Sequence, residues 1–324
     1  VSAAPVVSVA LATYNGGRFV DEQVRSILEQ DPPPAEIVVA DDGSTDDTVA
    51  IVRRVAAEHP GVRLKVLESV GASLGVAGNF ARAIAAASGD LVALSDQDDR
   101  WHEGRLAALI GRFVSDETLT LVHHDAVLVD GAGAPLGQRL LDWLRASASE
   151  RSSLVAGNAL PVYLRRNLAT GATVVFRREL AERALPVGAG WIHDEWLAMI
   201  AAAFGGARLD ERALIDYRQH GGNQIGVAKP TPAHLVRRML EPRGDRYEWL
   251  AARTEALLEK LQALDAPADA LTLVRAKLEF EQSRARYPRR RLARLGPVLA
   301  QRKSYRELSS QGGLDILRDL LHGA

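Results

Sequence analysis

Glu36-Ile37-Val38-Val39-Ala40-Asp41-Asp42-Gly43-Ser44-Thr45-Asp46-Asp47-Thr48 runs from an apolar stretch straight into a polar turn. EIVVA has the β-branched, continuously apolar character of a strand buried on both faces. STDDTVAIVRRVAAEH reads as a helix, with Ser, Thr and Asp available to cap it. The stretch is one strand–turn–helix unit, and its repetition along the chain decides the fold.

Upstream, VVSVALA is a second buried run. Phe19, Val20, Val24, Ile27 and Leu28 then mark one helical face, stopped by Pro32-Pro33-Pro34. Downstream, VRLKVLE alternates as a strand. GVAGNFARAIAAAS is helical, with Gly89 placed as a C-cap glycine. LVALS, GRLAALIGRFV and LTLVHHDAVLVD continue as strand, helix and strand. Such alternation predicts an α/β fold with a mostly parallel central sheet flanked by helices. In such sheets ligands bind beyond the carboxyl ends of the strands, so TYNGG, DDGSTDD and SDQDD should open on one edge.

Residues 131–165 read as loops with a short helix near LDWLRA. GATVVFRREL reads as a strand entering a helix, HDEWLAMIAAAFG as a helix and ARLDERALIDYRQH as extended chain. Past residue 230 the pattern becomes amphipathic and helical. The expected division is a catalytic domain over residues 1–230 and a helical, basic region over 231–324.

The chain has 324 residues, 47% apolar and 25% charged, enough for a sizeable core. Without cysteine it has no disulfide, thiolate metal site or catalytic thiol, which fits a reducing cytoplasm. Its apolar start lacks preceding basic residues and reads as a strand rather than a signal sequence. No apolar run approaches the roughly 20 residues that span a bilayer. From Thr231 on, 18 Lys+Arg face 12 Asp+Glu, which leaves the first 230 residues at −7 within a chain of −1. The run Ser283–Arg294 holds six arginines in twelve residues, a solvated face or a contact for anionic lipid on the inner side of a membrane or for a pyrophosphate-bearing acceptor. Few aromatics (5%) and a near-neutral charge argue against nucleic acid as a partner.

Asp96, Asp98 and Asp99 fall within four positions at the end of LVALS. Three carboxylates so close repel unless a cation sits among them, and Mg²⁺ or Mn²⁺ takes oxygen ligands. A capped turn explains them equally well, with Asp99 as the helix cap. Asp41 and Asp42 could accept from a base or ribose, although Asp-Gly turns are common. Asp194 opens a helix, where an acidic residue is either favoured by the dipole or placed as a general base. Arg218 ends an extended run and could simply pair with a carboxylate, and His220 beside it is a structural histidine or, where it lies near Asp98, a metal ligand. TYNGGRF is not G-x-G-x-x-G, and P-loop, G-x-S-x-G and H-E-x-x-H patterns do not occur.

In this order, VSVALATYNGG, DDGSTDDT, GVAGNFARAI, SDQDDRW, HDEWLAMIAAAFG and YRQHGGNQIG resemble the family 2 glycosyltransferases of glycosyltransferase A fold over about residues 6–225. The last two are similar to the rhamnosyltransferase-like branch, and His193 stands where many relatives carry an acid. The resemblance implies that Thr13, Tyr14, Asn15, Asp41 and Asp42 hold the nucleotide's base and ribose, with Asn79 lining the donor pocket. It implies Asp96, with Gln97, near the ribose and phosphates, and Asp98 as the metal ligand, joined by Asp96 and His220. Asp194 would be the catalytic base, and Arg218 would lie at the diphosphate. The implied reaction is inverting, metal-dependent transfer from a dTDP- or UDP-sugar to a glycan or lipid-linked acceptor. A nucleotidyltransferase that builds sugar nucleotides is the alternative. Its triphosphate loop usually carries several bases, and TYNGGRF has one.

Overall fold

The computed structural model describes residues 4–69, 71–221, 245–288 and 290–321. The chain divides into two compact units. The first is Val1–Ala159, Leu168–Val187 and Ile192–Gln224, and the second is Leu160–Asn167, Gly188–Trp191 and Ile225–Ala324. Two short segments that precede His193 therefore belong to the second unit. The expected boundary at residue 230 lies outside the described residues.

The first unit opens with β1 (Val7–Thr13), α1 (Val20–Leu28), β2 (Glu36–Asp41), α2 (Thr48–Ala57), β3 (Arg63–Leu67), α3 (Gly75–Ala86) and β4 (Leu91–Ser95). It continues with β5 (Arg100–Trp101), α4 (Arg105–Ser115), β6 (Leu121–Asp130), β7 (Pro135–Arg139), α5 (Leu140–Trp143) and α6 (Ala148–Val155). A helical turn, α7 (Leu160–Tyr163), falls in the second unit. Then follow β8 (Val174–Arg177), α8 (Arg178–Ala184), α9 (His193–Ala203) and β9 (Ala207–Gln219).

The sheet has nine strands in the order β3-β2-β1-β4-β8-β6-β9-β5, with β7 on β6. β3, β2, β1 and β4 are parallel neighbours. β8 runs antiparallel to both β4 and β6, and β9 is parallel to β6. β5 also pairs antiparallel with β9, and β7 with β6, so four of the eight pairings are parallel and four antiparallel, and the sheet is mixed around the parallel core β3-β2-β1-β4. Strand–helix alternation could not reveal β8 as a reversed insertion, because direction depends on the long connection before it.

β1, β2 and β4 are buried almost throughout, as their continuous apolar runs require. Val9, Leu11, Ile37 and Val39 join Val24, Ile27, Val52, Leu106 and Phe113 in one core beneath the sheet. Each such side chain contributes about 1.5–3 kcal/mol on burial. α3 packs on β1 and β2, and α9 packs on β6 and β9.

Two local expectations change. Residues 135–155 form a strand and two helices, where loops with a single short helix were expected. Gly89 is not a left-handed cap: α3 ends at Ala86, and a Cβ on Gly89 would lie 2.7 Å from both Ser8 N and Val6 O. Its smallness lets β4 leave beside β1.

The second unit is helical: α10 (Arg246–Ala263), α11 (Ala268–Ala285), α12 (Leu295–Ala300), α13 (Arg302–Leu308) and α14 (Gly313–Leu321). Among the described residues no helix is long and apolar enough to cross a membrane.

Candidate active site

The carboxyl ends of β1, β2 and β4 meet at one edge of the sheet, where parallel neighbours must end together. Thr13 Oγ1 donates to Asp41 Oδ2 (2.7 Å), and Asp41 Oδ1 accepts from the amides of Gly43 (3.1 Å) and Ser44 (2.8 Å). Asn15, left-handed at φ 47°, accepts the Thr45 amide on Oδ1 at 2.8 Å. Its own amide donates to Ser44 Oγ at 2.8 Å. Asp42 accepts from Ser73 Oγ (2.6 Å) and the amides of Leu74 (2.8 Å) and Gly75 (3.0 Å) at the start of α3. Burial opposes its charge, but these donors win and hold its carboxyl below the usual range.

Asn79 Nδ2 donates to Ala40 O (2.7 Å) and Thr13 O (3.3 Å), tying the two strand ends. Its Oδ1 is buried without a partner among the described residues. Gln97 clamps the backbone of Tyr14, accepting its amide at 2.8 Å and donating to its carbonyl at 3.0 Å. A Cβ on Gly16 would lie 2.2 Å from Gln97 Oε1, so any other residue there would push the Gln97 amide off the Tyr14 backbone. Tyr14 itself is 50% exposed. The expected donor-binding residues therefore converge, and Asp41, Asp42 and Gln97 also hold the loops that carry them.

The acidic cluster lies at the end of β4. Gln23 of α1 donates to Ser95 Oγ (2.6 Å) and Asp96 O (3.1 Å), fixing the turn. Asp98 Oδ2 meets His220 Nε2 at 2.8 Å, and the His220 ring lies against Phe19 with centroids 4.7 Å apart. Asp99 is buried and accepts the Arg218 amide at 3.0 Å; α4 begins later, so Asp99 is not its cap. Arg218 is also buried: its Nε donates to Asp98 O (2.8 Å) and its Nη2 pairs with Glu22 (2.6 Å). The guanidinium expected at a diphosphate is thus engaged by protein groups that fix the acidic turn.

Asp194 stands in the first turn of α9. Its Oδ1 accepts the Glu195 amide at 2.7 Å, and the Gly171 amide also donates to its carboxylate. Burial pushes its carboxyl up to about 6 against these donors. Burial and the neighbouring carboxylates of Asp98 and Asp194 push Asp96 up to about 7. Asp99 is raised well above the carboxylate range by burial, Asp98 and Asp96. The same carboxylates raise the Tyr217 hydroxyl, after burial as the larger cause. Asp96, Asp98 and Asp194, separated by up to 98 positions in sequence, therefore share one field.

These residues fit a divalent cation. Among the described residues no three acidic or histidine side chains form a ready-made cage. Yet no described group donates to the Asp96 carboxylate, and Asp99 Oδ2 is buried without a partner among them. A Mg²⁺ or Mn²⁺ site completed by substrate phosphates needs only one or two protein carboxylates. Asp98 and His220 already stand side by side to supply an oxygen and a nitrogen.

Sequence reasoning missed Gln23, Glu22, Tyr217 and Gly171. Gln23 was detectable as a polar residue inside the apolar stripe of α1, whereas nothing in the sequence singled out Gly171. His193 is buried and stacked on Phe80 (centroids 4.1 Å apart), and neither ring nitrogen has a partner among the described residues.

The family model described as glycosyl transferase family 2 matches residues 8–182. A glycosyltransferase of Nostoc sp. is 28% identical over 222 residues, 67% of this chain and 66% of its own length. The dTDP-rhamnosyl transferase RfbG of Shigella flexneri is 35% identical over 99 residues, 30% of this chain and 34% of its own. The chain thus spans under two thirds of the length of either relative. Among solved structures, the mannosyltransferase PcManGT of Pyrobaculum calidifontis, in complex with GDP-Man and Mn²⁺, superposes at TM-score 0.51. It is 23% identical, over 94% of this chain and 76% of its own. S. aureus TarS 1–349 superposes at 0.54 with 18% identity, over 94% and 81%. These likenesses establish the glycosyltransferase A fold.

Proposed function

We propose, from the premise that this chain belongs to glycosyl transferase family 2, that it moves a sugar from a nucleoside-diphosphate donor to an acceptor hydroxyl with inversion. The observation that carries this reading is Asp98 beside His220 (2.8 Å) at the carboxyl end of β4, with the buried Asp194 at the head of α9 close enough to share its field. In the proposal, residues 1–230 carry the reaction and 231–324 form the separate helical, basic region.

Asp98 and His220, with Asp96 beside them, would hold a divalent cation. When bound, that cation neutralises negative charge on the departing nucleoside diphosphate. Thr13, Tyr14, Asn15, Asp41, Asp42, Asn79 and Gln97 would present the rim that receives base and ribose. Arg218 would lie at the diphosphate, and its bonds to Asp98 O and Asp99 hold the acidic turn in place. Asp194 removes the acceptor proton as the hydroxyl oxygen bonds to the anomeric carbon and the sugar–phosphate bond breaks. The proton passes to the Asp194 carboxylate and the bonding pair leaves with the diphosphate. One displacement inverts the anomeric centre.

A deoxyhexose such as rhamnose, carried on dTDP, is the proposed donor. The Shigella relative's name and the His193-Asp194 pair support it. UDP-sugars are the second reading, favoured by the complex of S. aureus TarS 1–349 with UDP-GlcNAc, which shares the fold at TM-score 0.51. A glycan or lipid-linked hydroxyl is the proposed acceptor. The family match disfavours the nucleotidyltransferase alternative.

The test is a thermal-shift series with dTDP-rhamnose and UDP-sugars, each with and without Mn²⁺ or Mg²⁺. A ligand that binds only the native state raises apparent stability. The expected result is a metal-dependent shift with one nucleotide class, lost in Asp98→Asn. A shift with every donor that needs no metal, or none with any, overturns the reading.

A further inference from the structure

Helix α14 packs Ile316 and Leu320 on the core of its unit but buries charge beside them and leaves a second apolar stripe outside. Its charged residues Asp315, Arg318 and Asp319 are buried, whereas Leu314, Leu317 and Leu321 are 54%, 42% and 41% exposed. Spacings of three and four set those leucines in one stripe. The rotation is locked from within. Asp319 accepts from Arg284 Nε at 2.7 Å and from the hydroxyls of Tyr247 and Tyr305, and Arg318 faces Asp315 at 3.4 Å. Rolling the leucines inward would expel a carboxylate from three donors and leave those donors buried without it.

The turn at Arg291–Arg294 and α12 pack against α14 and repeat the pattern. Arg294 is buried, donating to Pro288 O (2.6 Å) and Asp319 O (3.1 Å). Leu292, Leu295 and Leu299 are exposed, Leu292 by 83%. Six leucines between positions 292 and 321 thus face outward from neighbouring elements. Scattered exposed leucines are ordinary, but a cluster backed by buried charge marks an interaction surface.

The charges around it select the partner. Among the described residues from 286 to 321, Arg286, Arg290, Arg291, Arg302, Lys303 and Arg306 are exposed, and Glu307 is the one exposed carboxylate. A second copy would set these cations against themselves. An anionic surface would attract them.

We propose that this face docks on an anionic lipid bilayer, with the leucines entering the acyl boundary and the arginines and lysine meeting lipid phosphates. The helices lie on the bilayer, since none described is long and apolar enough to cross it. The inference is independent of the glycosyl-transfer reading.

The experiment is flotation of the full chain with phosphatidylcholine vesicles, with and without one quarter phosphatidylglycerol. The expected result is at least tenfold more binding to the anionic vesicles, suppressed by 1 M salt. Leu292→Ser/Leu314→Ser should lower that binding at least tenfold with little change in the unfolding midpoint, because these are the two most exposed of the six leucines. Absence of flotation with anionic vesicles overturns the proposal, as does a double variant that floats like the parent. A dimer in solution that the same substitutions dissociate assigns the face to a second copy and also overturns it. The donor thermal shift is a separate readout, so either reading can fail alone.

Discussion

Asp194→Asn separates two consequences of burying a carboxylate at the head of α9. Burial lifts its carboxyl from 3.8 to about 6. A rise of about 2 units at ~1.4 kcal/mol per unit makes the ionised native state ~3 kcal/mol less stable than it would be with an unshifted group. That penalty is absent below pH 3.8, where native and unfolded chains both hold the proton. It accrues as pH rises toward 6 and is complete above 6. Asparagine keeps the shape and can still accept the Glu195 amide, but it gives up the Gly171 amide at a cost of ~1 kcal/mol. The expected outcome is a variant about 2 kcal/mol more stable than the parent at pH 7.5 and little different at pH 4.5. Urea unfolding followed by tryptophan fluorescence measures it, since buried Trp196 lies two residues away. Turnover should fall about 10²–10⁴-fold, the usual range for a lost general base, and the parent's rate should rise with pH through about 6. A variant that is destabilised at pH 7.5, or shifted equally at both pH values, would refute the electrostatic argument. Full turnover would refute the base.

Replacing His220 by Asn should weaken Mn²⁺-dependent donor binding while leaving Asp99 and Arg218 paired; titrating Mn²⁺ in the thermal-shift assay reads this. Gly89→Ala should destabilise the first unit by at least 1–3 kcal/mol, because the new Cβ meets backbone atoms at 2.7 Å and backbone cannot rotate away as a side chain can. Urea midpoints of parent and variant check it. Burial holds His123, His124 and His193 far below their ordinary value, His193 down to about 3. Unfolded histidines take up protons below about pH 6.5 while these stay neutral, so stability is full above 6.5 and falls on acidification. In His193→Phe, which keeps the stack on Phe80, the fall between pH 7 and 5 should shrink by ~2 kcal/mol, one histidine's share.

The parallel half of the sheet was legible because buried parallel strands need unbroken apolar runs, and β1, β2 and β4 have them. The site edge followed from the same runs, since DDGSTDD and SDQDD begin where the runs stop. Partnerships were less legible. Asp99 looked like a cap because capping is local, and its true partner is 119 positions away at the Arg218 amide. The ion pair of Arg218 was not legible either, because nothing in α1 marked Glu22 as its counter-ion. The reversal of β8 and the donation of segments 160–167 and 188–191 to the second unit are settled by packing between distant elements. Helix α14 was readable as amphipathic, but which side faced inward depended on Arg284, Tyr247 and Tyr305.

The loop after β1 is held on both sides, by Gln97 at the Tyr14 backbone and by Ser44 and Thr45 at Asn15. Ordering one residue's backbone costs ~1–2 kcal/mol in entropy. Here that loss is incurred once, during folding, and not again each time a ligand arrives. In the proposed reading, contacts that a nucleotide forms at this rim convert into affinity with little lost to ordering, and competing nucleotides would be ranked by how well they match a surface that does not wait for them.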